Sequence, residues 1–214
     1  MEGLQVAIAR CRTFLWAMRE ISAHVVRRMT VIRYPYERWA VVRLPEKVQS
    51  LLFVCKGNIC RSPLAAAYFQ MLNEKAGGKM IVRSAGLETT PGKQAHTKAK
   101  AVALEHHLSL DMHVTTQVHA DLLEHSDLIV VMEIMQKVRI QRLYPQWRRK
   151  VVLLGRFDST GPIEIVDPYG GTIEDFQSCL RQMSRCCDGL AERLDVKSLK
   201  PALNPVLPLS MEKP

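Results

Sequence analysis

The stretch from Cys55 to Ser62, which reads CKGNICRS, collects residue types that can do nucleophilic chemistry on an anion. A cysteine thiolate is a strong nucleophile, and it is favoured beside an arginine and the N-terminus of a helix. Cys55 follows the apolar run LLFV, and Arg61 precedes a helix-forming run. The planar guanidinium of Arg61 can donate two parallel hydrogen bonds to phosphoryl oxygens, which a lysine cannot do. The spacing therefore predicts a phosphate-binding loop around a nucleophilic Cys55.

Residues 56–60 of this loop are suited to a curled backbone whose N–H groups bind an anion. Gly57 allows unusual backbone angles, and Asn58 tolerates the left-handed region. We expect Ser62 to be the N-cap of the next helix and Pro63 its first residue, so that the positive helix end faces the same anion. The predicted substrate-binding residues of the loop are Lys56, Gly57, Asn58, Ile59, Cys60 and Ser62.

The pattern of this loop alone leaves other interpretations open. A C-x5-R-S match arises by chance, and a cysteine at a strand end is commonly a small buried hydrophobe. The Gly-Lys-Ser/Thr ending of a nucleotide triphosphate loop is missing from the sequence. Cys55 and Cys60 have no downstream Cys/His pair at zinc-ligand spacing. We therefore predict neither a metal site nor a cofactor.

Four apolar runs and the helices between them predict the frame around the loop. The runs at 51–54, 80–82, 128–132 and 151–154 have the length and β-branched content of buried strands. Helices are predicted at 63–76, 96–108, 119–125, 134–143 and 173–194, the last beginning with a capping box of Thr172 and Asp175. Alternating strands and helices predict an α/β fold with a small parallel four-stranded doubly wound sheet and helices on both faces. The phosphate loop then lies between the first strand and the first helix.

Composition narrows the classes of protein that remain. The 214 residues carry a net charge of +9, and the first 50, with nine Lys or Arg and four Asp or Glu, contribute +5 of it. The middle of the chain is only mildly basic and lacks a stripe of cations and aromatics, so we expect no nucleic-acid binding. No apolar run approaches the roughly 20 residues of a membrane helix, so no integral membrane segment is predicted. Six cysteines without a CxxC pair or a secretory signal predict reduced thiols and a cytoplasmic location.

The two ends of the chain differ from its middle, and we expect one domain at 51–194. Residues 1–50 are expected to form a loosely ordered N-terminal extension. An amphipathic surface helix, an organelle-targeting peptide and a translation start at Met29 are alternatives for the same segment. The proline-containing tail at 195–214 is expected to be disordered. The sequence does not indicate the oligomeric state.

Four motifs together resemble the low-molecular-weight protein-tyrosine phosphatases: VCKGNICRSP, RSAG at 83–86, SDLIVVME at 126–133 and DPYG at 167–170. They follow the order and spacing of that family over about residues 50–194, and they are most similar to its bacterial branch associated with exopolysaccharide and capsule export. The resemblance implies hydrolysis of phosphotyrosine through a phosphocysteine intermediate, without a metal. It implies a phosphotyrosine protein as the partner, with a tyrosine autokinase of polysaccharide export as the candidate.

The resemblance also assigns roles outside the loop. Asp167, in an Asp-Pro sequence that alone is typical of a structural turn, is implied to protonate the leaving group and then to activate water. Tyr169 is implied to line the cleft, with a surface tyrosine as the alternative. The residues implied to hydrogen-bond one another and support the loop are Asn58, Ser62, Ser84 and His113. Cys60 is either a packed thiol or the partner of Cys55 in a reversible disulfide.

The segment that corresponds to one wall of the family's cleft is basic rather than aromatic. The segment 87–100 is basic and contains no Phe, Trp or Tyr, so we expect a positively charged wall at which Lys56, Lys93 or Lys98 attracts acidic substrates. Two other functions are weighed against the tyrosine phosphatase. The first is an arsenate reductase on the same scaffold, which needs further cysteines within reach of Cys55. The second is a phosphate-binding protein without turnover, which needs neither Cys55 nor Asp167.

Overall fold

Four parallel strands in the order β2-β1-β3-β4 form the centre of the protein. The computed structural model describes Glu37 and residues 42–196, and the predictions for the remainder of 1–50 and for 197–214 lie outside the described residues. The strands are β1 (Ser50–Cys55), β2 (Ile81–Gly86), β3 (Leu128–Val131) and β4 (Val151–Leu153). The α-helices are α1 (Arg61–Lys75), α2 (Thr97–Glu105), α3 (Ala120–Glu124), α4 (Ile134–Leu143) and α5 (Ile173–Arg193). Two short 3-10 helices, Pro145–Lys150 and Leu154–Phe157, flank β4.

The position of β1 explains where the functional loop lies. β1 pairs in parallel with β2 on one side and with β3 on the other, so the order of strands reverses at β1. In open α/β sheets, ligands bind beyond the carboxyl ends of the strands at such a switch point. Cys55 is the last residue of β1. The predicted phosphate loop therefore starts at the position where the topology favours a site.

Both faces of the sheet are covered, which confirms the predicted doubly wound architecture. Alternate residues of β1 enter different cores: Leu51 and Phe53 pack with α1 and α5, whereas Leu52 and Val54 pack with residues of α3 and α4. Because the five residues of β1 after Ser50 are all buried, their sequence is a continuous apolar run rather than an alternating one. This is why the central strands could be predicted from hydrophobicity.

The edge strand β2 is longer than the predicted 80–82. It spans Ile81–Gly86, and its first four residues alternate between exposed and partly buried side chains. An edge strand pairs on one side only, so it does not need the continuous apolar run that marked the other strands. The motif RSAG, which contributed no strand signal, forms the second half of β2.

The start of α1 differs from the prediction. Ser62 is not the N-cap and Pro63 is not the first helical residue, because α1 begins at Arg61 with Cys60 as its N-cap. The amide of Leu64 donates to the carbonyl oxygen of Cys60 over 3.3 Å. Pro63 is tolerated inside the first turn because the first N–H groups of a helix have no intrahelical acceptor.

The predicted start of α5 is confirmed. The amide of Thr172 donates to Asp175 Oδ2 over 2.7 Å, and the amide of Asp175 donates back to Thr172 Oγ1, which completes the capping box. α5 packs on α1 and closes the core beneath the loop. Within the described part of the chain, none of the helices has the length and apolar character needed to span a bilayer.

Candidate active site

Cys55 lies at the end of β1 with its side chain buried. Its sulfur is 3.1 Å from Ser62 Oγ and accepts the backbone N–H of Asn58 over 3.2 Å. The hydroxyl of Ser62 has one proton and two acceptors within reach, Cys55 Sγ and the carbonyl oxygen of Ala85 at 3.2 Å. An anionic sulfur can therefore take that proton as a hydrogen bond without a movement of the backbone.

Asn58 is the centre of a hydrogen-bond network that shapes the loop. Its φ is 54°, in the left-handed region, and its side chain is fully buried. The amide nitrogen donates to Ser62 Oγ and to Ser84 Oγ, both over 2.9 Å, and the amide oxygen accepts the N–H of Thr116 over 2.9 Å. His113 Nε2 donates to the backbone oxygen of Asn58 over 2.8 Å. The structure thus brings together the four predicted support residues and adds Thr116, which sequence reasoning missed.

The environment of His113 favours its neutral form. Burial lowers the pKa of His113 below the usual 6.5, although the hydrogen bond to the carbonyl of Asn58 acts in the opposite direction. Because a carbonyl oxygen can only accept, Nε2 carries the proton in this arrangement. A neutral His113 can keep this bond at neutral pH.

Gly86 explains why the motif RSAG ends in glycine. β2 runs directly against the loop here, and a Cβ at residue 86 would lie 2.9 Å from the carbonyl oxygen of Lys56 and 3.0 Å from the nitrogen of Asn58. Such contacts are too close for any side chain. After Gly86 the chain stays attached to the loop, because the amides of Leu87 and Glu88 donate to the carbonyl oxygens of Cys55 and Lys56.

Arg61 is almost fully buried, with 1% of its side chain exposed. Nη1 donates to Glu133 Oε1 and, over 3.1 Å, to the carbonyl oxygen of Ile165, while Nη2 donates to Asp167 Oδ2 over 2.7 Å. Burial opposes the charge of the guanidinium, but Glu133, Asp167 and Cys55 outweigh burial, and the pKa of Arg61 is raised. The arginine is therefore held as a permanent cation beside the Cys55 sulfur.

Glu133 is a site residue that sequence reasoning did not single out. It was visible as the last letter of SDLIVVME, an acid placed two residues after the carboxyl end of the buried strand β3. The carboxyl ends of parallel strands meet at one edge of a sheet, so this acid had to approach the Cys55 loop. Its Oε1 also accepts from Gln136 Nε2 over 3.0 Å, which orients it toward Arg61.

Asp167 and Cys55 lie 112 positions apart in the sequence but line the same cleft of about 220 Å³. Asp167 is 40% exposed on its side chain, and its Oδ1 accepts the N–H of Tyr169 over 3.3 Å. The carboxyl group therefore lies at the mouth of the cleft, above the sulfur at its base. The residues that line the cleft are Cys55, Lys56, Gly57, Ile59, Cys60, Arg61, Glu88, Asp167 and Tyr169.

Tyr169 is exposed but its ring is supported from behind. The ring packs edge-on against His96, with centroids 5.8 Å apart, and His96 in turn stacks on Phe176 at 5.1 Å. The amide of His96 donates to the carbonyl oxygen of Ile59, so the same residue contacts the loop. The segment 87–100, predicted to lack an aromatic contribution, thus supplies an imidazole ring that orients Tyr169.

The cleft wall is of mixed charge rather than only positive. Glu88 lines the cleft and pairs with Lys56 at 3.8 Å and with Arg139. Lys98 donates to the carbonyl oxygen of Gly171, behind the Asp167 loop. Lys98 is therefore already engaged within the protein, whereas the side chain of Lys56 is 67% exposed and remains accessible to acidic substrates.

Two further thiols near the site differ from Cys55 in their surroundings. Burial, followed by the charge of Asp167, raises the pKa of Cys60 to about 12. Burial also raises the pKa of Cys179 on α5 to about 12. Both side chains therefore remain thiols at neutral pH. Among the described residues, no group of three or more His, Cys, Asp or Glu side chains is arranged to hold a metal ion.

A buried cysteine under a phosphate loop, a fixed arginine and an acid at the cleft mouth, all at the switch point of a parallel sheet, define a cysteine-dependent phosphatase. The sequence pattern of the family described as "Low molecular weight phosphotyrosine protein phosphatase" matches residues 50–200. The chain belongs to this family. The resemblance stated from the four motifs is thereby confirmed.

Characterised relatives within the family include enzymes of two specificities. The low molecular weight protein-tyrosine-phosphatase Wzb of Escherichia coli K12 is 36% identical over 150 residues, which cover 70% of this chain and 98% of Wzb. The protein-arginine-phosphatase of Bacillus subtilis is 32% identical over 144 residues, which cover 67% of this chain and 95% of that protein. The relatives are thus matched over nearly their whole length.

Solved structures show the same fold. The structure of Wzb from Escherichia coli K30 in complex with sulphate has a TM-score of 0.64 at 31% identity and covers 69% of this chain and 99% of its own. The Erwinia amylovora tyrosine phosphatase AmsI has a TM-score of 0.64 at 34% identity and covers 69% of this chain and 93% of its own.

Proposed function

We propose that this protein hydrolyses phosphotyrosine in proteins through a phosphocysteine intermediate. The observation that carries the proposal is the placement of Cys55, Arg61 and Asp167 around one cleft, with the sulfur at the base and the carboxyl group at the mouth. Family membership supports the chemistry.

In the first step, the Cys55 thiolate attacks phosphorus, and the bond from phosphorus to the phenolic oxygen breaks as the S–P bond forms. Arg61 and the backbone N–H groups of the loop stabilise the equatorial oxygens. Binding of the phosphate dianion competes with Asp167 for Arg61 Nη2, because both are anions on one guanidinium. Once released from Arg61, the Asp167 carboxylate takes up a proton from solvent. As the neutral acid it then donates this proton to the leaving phenolic oxygen.

In the second step, Asp167, now a carboxylate, takes a proton from the attacking water as the S–P bond breaks. The departing Cys55 sulfur regains its negative charge. The hydroxyl of Ser62 donates a hydrogen bond to this sulfur, and the 3.1 Å separation is already suitable for it. Inorganic phosphate leaves, Asp167 returns its proton to solvent, and the Arg61–Asp167 ion pair of the starting state re-forms.

The shape of the cleft favours an aryl phosphate. Ile59 and Tyr169 line it with apolar and aromatic surface, which suits the ring of tyrosine. Desolvating the guanidinium of phosphoarginine requires acceptors, and Ile59 offers none. Arginine phosphatase activity is nevertheless the second candidate, because relatives at 32% identity have it and Glu88 supplies a carboxylate in the cleft.

The two alternatives weighed from sequence are not favoured by these findings. An intramolecular arsenate-reductase relay needs reactive thiols beside Cys55, whereas the pKa values of Cys60 and Cys179 are raised to about 12. A protein that only binds phosphate has no use for an acid positioned at the cleft mouth.

The decisive experiment measures phosphate release from one peptide sequence carrying phosphotyrosine or phosphoarginine, with Cys55→Ser as the control. We expect kcat/KM for the phosphotyrosine peptide to exceed that for the phosphoarginine peptide by at least about tenfold. The reverse ratio would replace the tyrosine assignment by the arginine one. No release from either peptide would refute the phosphatase proposal.

We further propose that the substrate is a tyrosine autokinase of polysaccharide export, which is supported by the similarity to Wzb and AmsI. We also propose that the protein acts in the cytoplasm. Dephosphorylation of a purified autophosphorylated tyrosine kinase of this type, monitored with a phosphotyrosine antibody, tests the partner. Equal rates on unrelated phosphotyrosine proteins would contradict this specificity.

A further inference from the structure

Glu37 is a buried acid that lies outside the residues matched by the family. Only 1% of its side chain is exposed. Its Oε2 accepts a hydrogen bond from Lys137 Nζ over 2.6 Å and lies 3.9 Å from Arg156 Nη1. The two cations are themselves 15% and 8% exposed. A carboxylate is buried at acceptable cost only when it is paired, so this contact is a specific pocket for an acid rather than a surface ion pair.

Residues 42–49, which precede the sheet, also contact the domain. Val42, Leu44 and Val48 pack against the core that contains α1 and α5. The amide of Gln49 donates to Asp127 Oδ2 over 2.9 Å at the start of β1. Residues 42–49 therefore contribute apolar contacts in addition to the ion pair of Glu37.

One side of the Glu37 pocket belongs to the helix that begins at the active site. Lys137 lies one turn into α4, and its amide donates to the backbone oxygen of Glu133 over 3.2 Å. Glu133 is the N-cap of α4 and pairs with Arg61. A displacement of Lys137 would therefore move the helical turn that positions the carboxylate of Glu133.

The other side of the pocket belongs to a 3-10 helix that packs beside the segment leading to Ile165. Arg156 lies in the 3-10 helix Leu154–Phe157, and the adjacent Gly155 is so close to residue 163 that a Cβ would be 2.4 Å from its carbonyl oxygen. Ile165 comes two residues after residue 163, and its carbonyl oxygen accepts a hydrogen bond from Arg61 Nη1. Glu37 thus bridges α4, whose N-cap Glu133 contacts Arg61, and a 3-10 helix. This 3-10 helix packs beside the segment that leads to Ile165, another partner of Arg61.

We propose that Glu37 is the resident occupant of the carboxylate pocket formed by Lys137 and Arg156, and that its docking keeps Arg61 in its catalytic orientation. Glu37 then contributes to catalysis although it lies outside the residues that match the family. The link to turnover rests on the proposed function, whereas the docking itself does not.

The test uses the full chain and compares Glu37→Gln with Glu46→Gln, an exposed acid of the same segment. Both variants lose one negative charge, but only the first loses a buried ion pair. We expect Glu37→Gln to lower Tm by about 6–12 °C, on the scale of a broken buried pair in a domain of this size. We also expect faster hydrogen exchange in α4, and a loss of at least about threefold in kcat and in affinity for inorganic phosphate, all at a temperature where the variant is folded. Glu46→Gln should match the wild-type protein.

A second set of variants covers the case in which Glu37→Gln does not fold. Lys137→Met removes the closer of the two cations that stabilise the buried negative charge of Glu37, so it should lower the stability of the protein. Adding Glu37→Gln then removes the negative charge itself. The double variant should therefore have a higher Tm than Lys137→Met alone, which a general loss of packing would not produce.

Each result decides one part of the proposal. Equal Tm and exchange for the Glu37 and Glu46 variants, or a double variant no more stable than Lys137→Met, would overturn the docking. A lower Tm with unchanged kcat and phosphate affinity would overturn the link to Arg61. The measurements of Tm and hydrogen exchange need no substrate, so they test the docking of Glu37 whether or not the protein is a phosphatase. A wild-type protein without phosphatase activity would refute the proposed function but not the docking.

Discussion

Replacing Asn58 by alanine is expected to damage both the stability and the activity of the protein. The substitution removes three side-chain hydrogen bonds in a fully buried position, to Ser62, Ser84 and the amide of Thr116. At about 1 kcal/mol each, these bonds contribute about 3 kcal/mol. Alanine at a φ of 54° costs about 1 kcal/mol more than asparagine. The free energy of unfolding should therefore fall by about 4 kcal/mol.

The activity should fall by a larger factor than the stability loss alone explains. Without Asn58 the loop no longer holds its N–H groups and the Cys55 sulfur at fixed positions, and a displacement of about 1 Å costs on the order of 10²-fold in rate. Urea unfolding gives the free energy, and hydrolysis of p-nitrophenyl phosphate at saturating substrate gives kcat. Both are measured at a temperature where the variant is folded.

Two matched variants separate the causes. Asn58→Gly loses the same hydrogen bonds but accepts a positive φ, so it should be about 1 kcal/mol more stable than Asn58→Ala, the reverse of the usual order of glycine and alanine. Asn73→Ala removes a buried asparagine whose Nδ2 donates to the carbonyl oxygen of Met80, away from the loop. It should lose stability and keep kcat. An Asn58→Ala variant with wild-type kcat, or one more stable than Asn58→Gly, would refute the reasoning.

Four further outcomes are expected. Cys55→Ser should abolish turnover while inorganic phosphate still binds, as measured by calorimetry; appreciable residual activity would contradict a covalent intermediate. Arg61→Lys should be nearly as inactive, because an ammonium cannot replace the contacts of the buried guanidinium with Glu133, Ile165 and phosphate; retention of most of kcat would reduce Arg61 to a structural cation. Asp167→Asn should slow cleavage of phosphotyrosine by about 10²-fold and of phosphates with acidic phenols much less, in single-turnover measurements, since a phenol with a pKa of about 10 needs a proton; an equal loss for all phenols would place the acid elsewhere. The pKa of His113 is lowered by burial below 6.5, so between that lowered value and 6.5 the unfolded chain binds more protons than the folded one. Unfolding free energy should therefore be lost as pH falls below about 6.5, and His113→Gln should show a flatter pH dependence; an unchanged slope would exclude His113 as its source.

The sequence by itself determined the fold class and the centre of the site. The central strands are buried on both faces, so their apolar runs stand out without knowledge of their neighbours. The phosphate loop is contiguous, so Cys55, Asn58 and Arg61 could be identified from residue types within eight positions. The capping box at Thr172 was readable for the same reason, because both of its partners are local.

Only the tertiary structure decided which distant groups complete the site. Glu133 approaches the loop because it follows β3, whose carboxyl end lies beside that of β1. Thr116 approaches the loop because its carbonyl oxygen accepts the N–H of Gly86 at the end of β2, a pairing that no local pattern in the sequence indicates. The start of α1 at Arg61 depends on Ser62 being engaged by Cys55 and Asn58 instead of capping the helix. Glu37 became informative only when its burial between Lys137 and Arg156 was seen. The pairing of a charge with partners about 100 positions away depends on how the chain packs, and the residue types alone do not contain it.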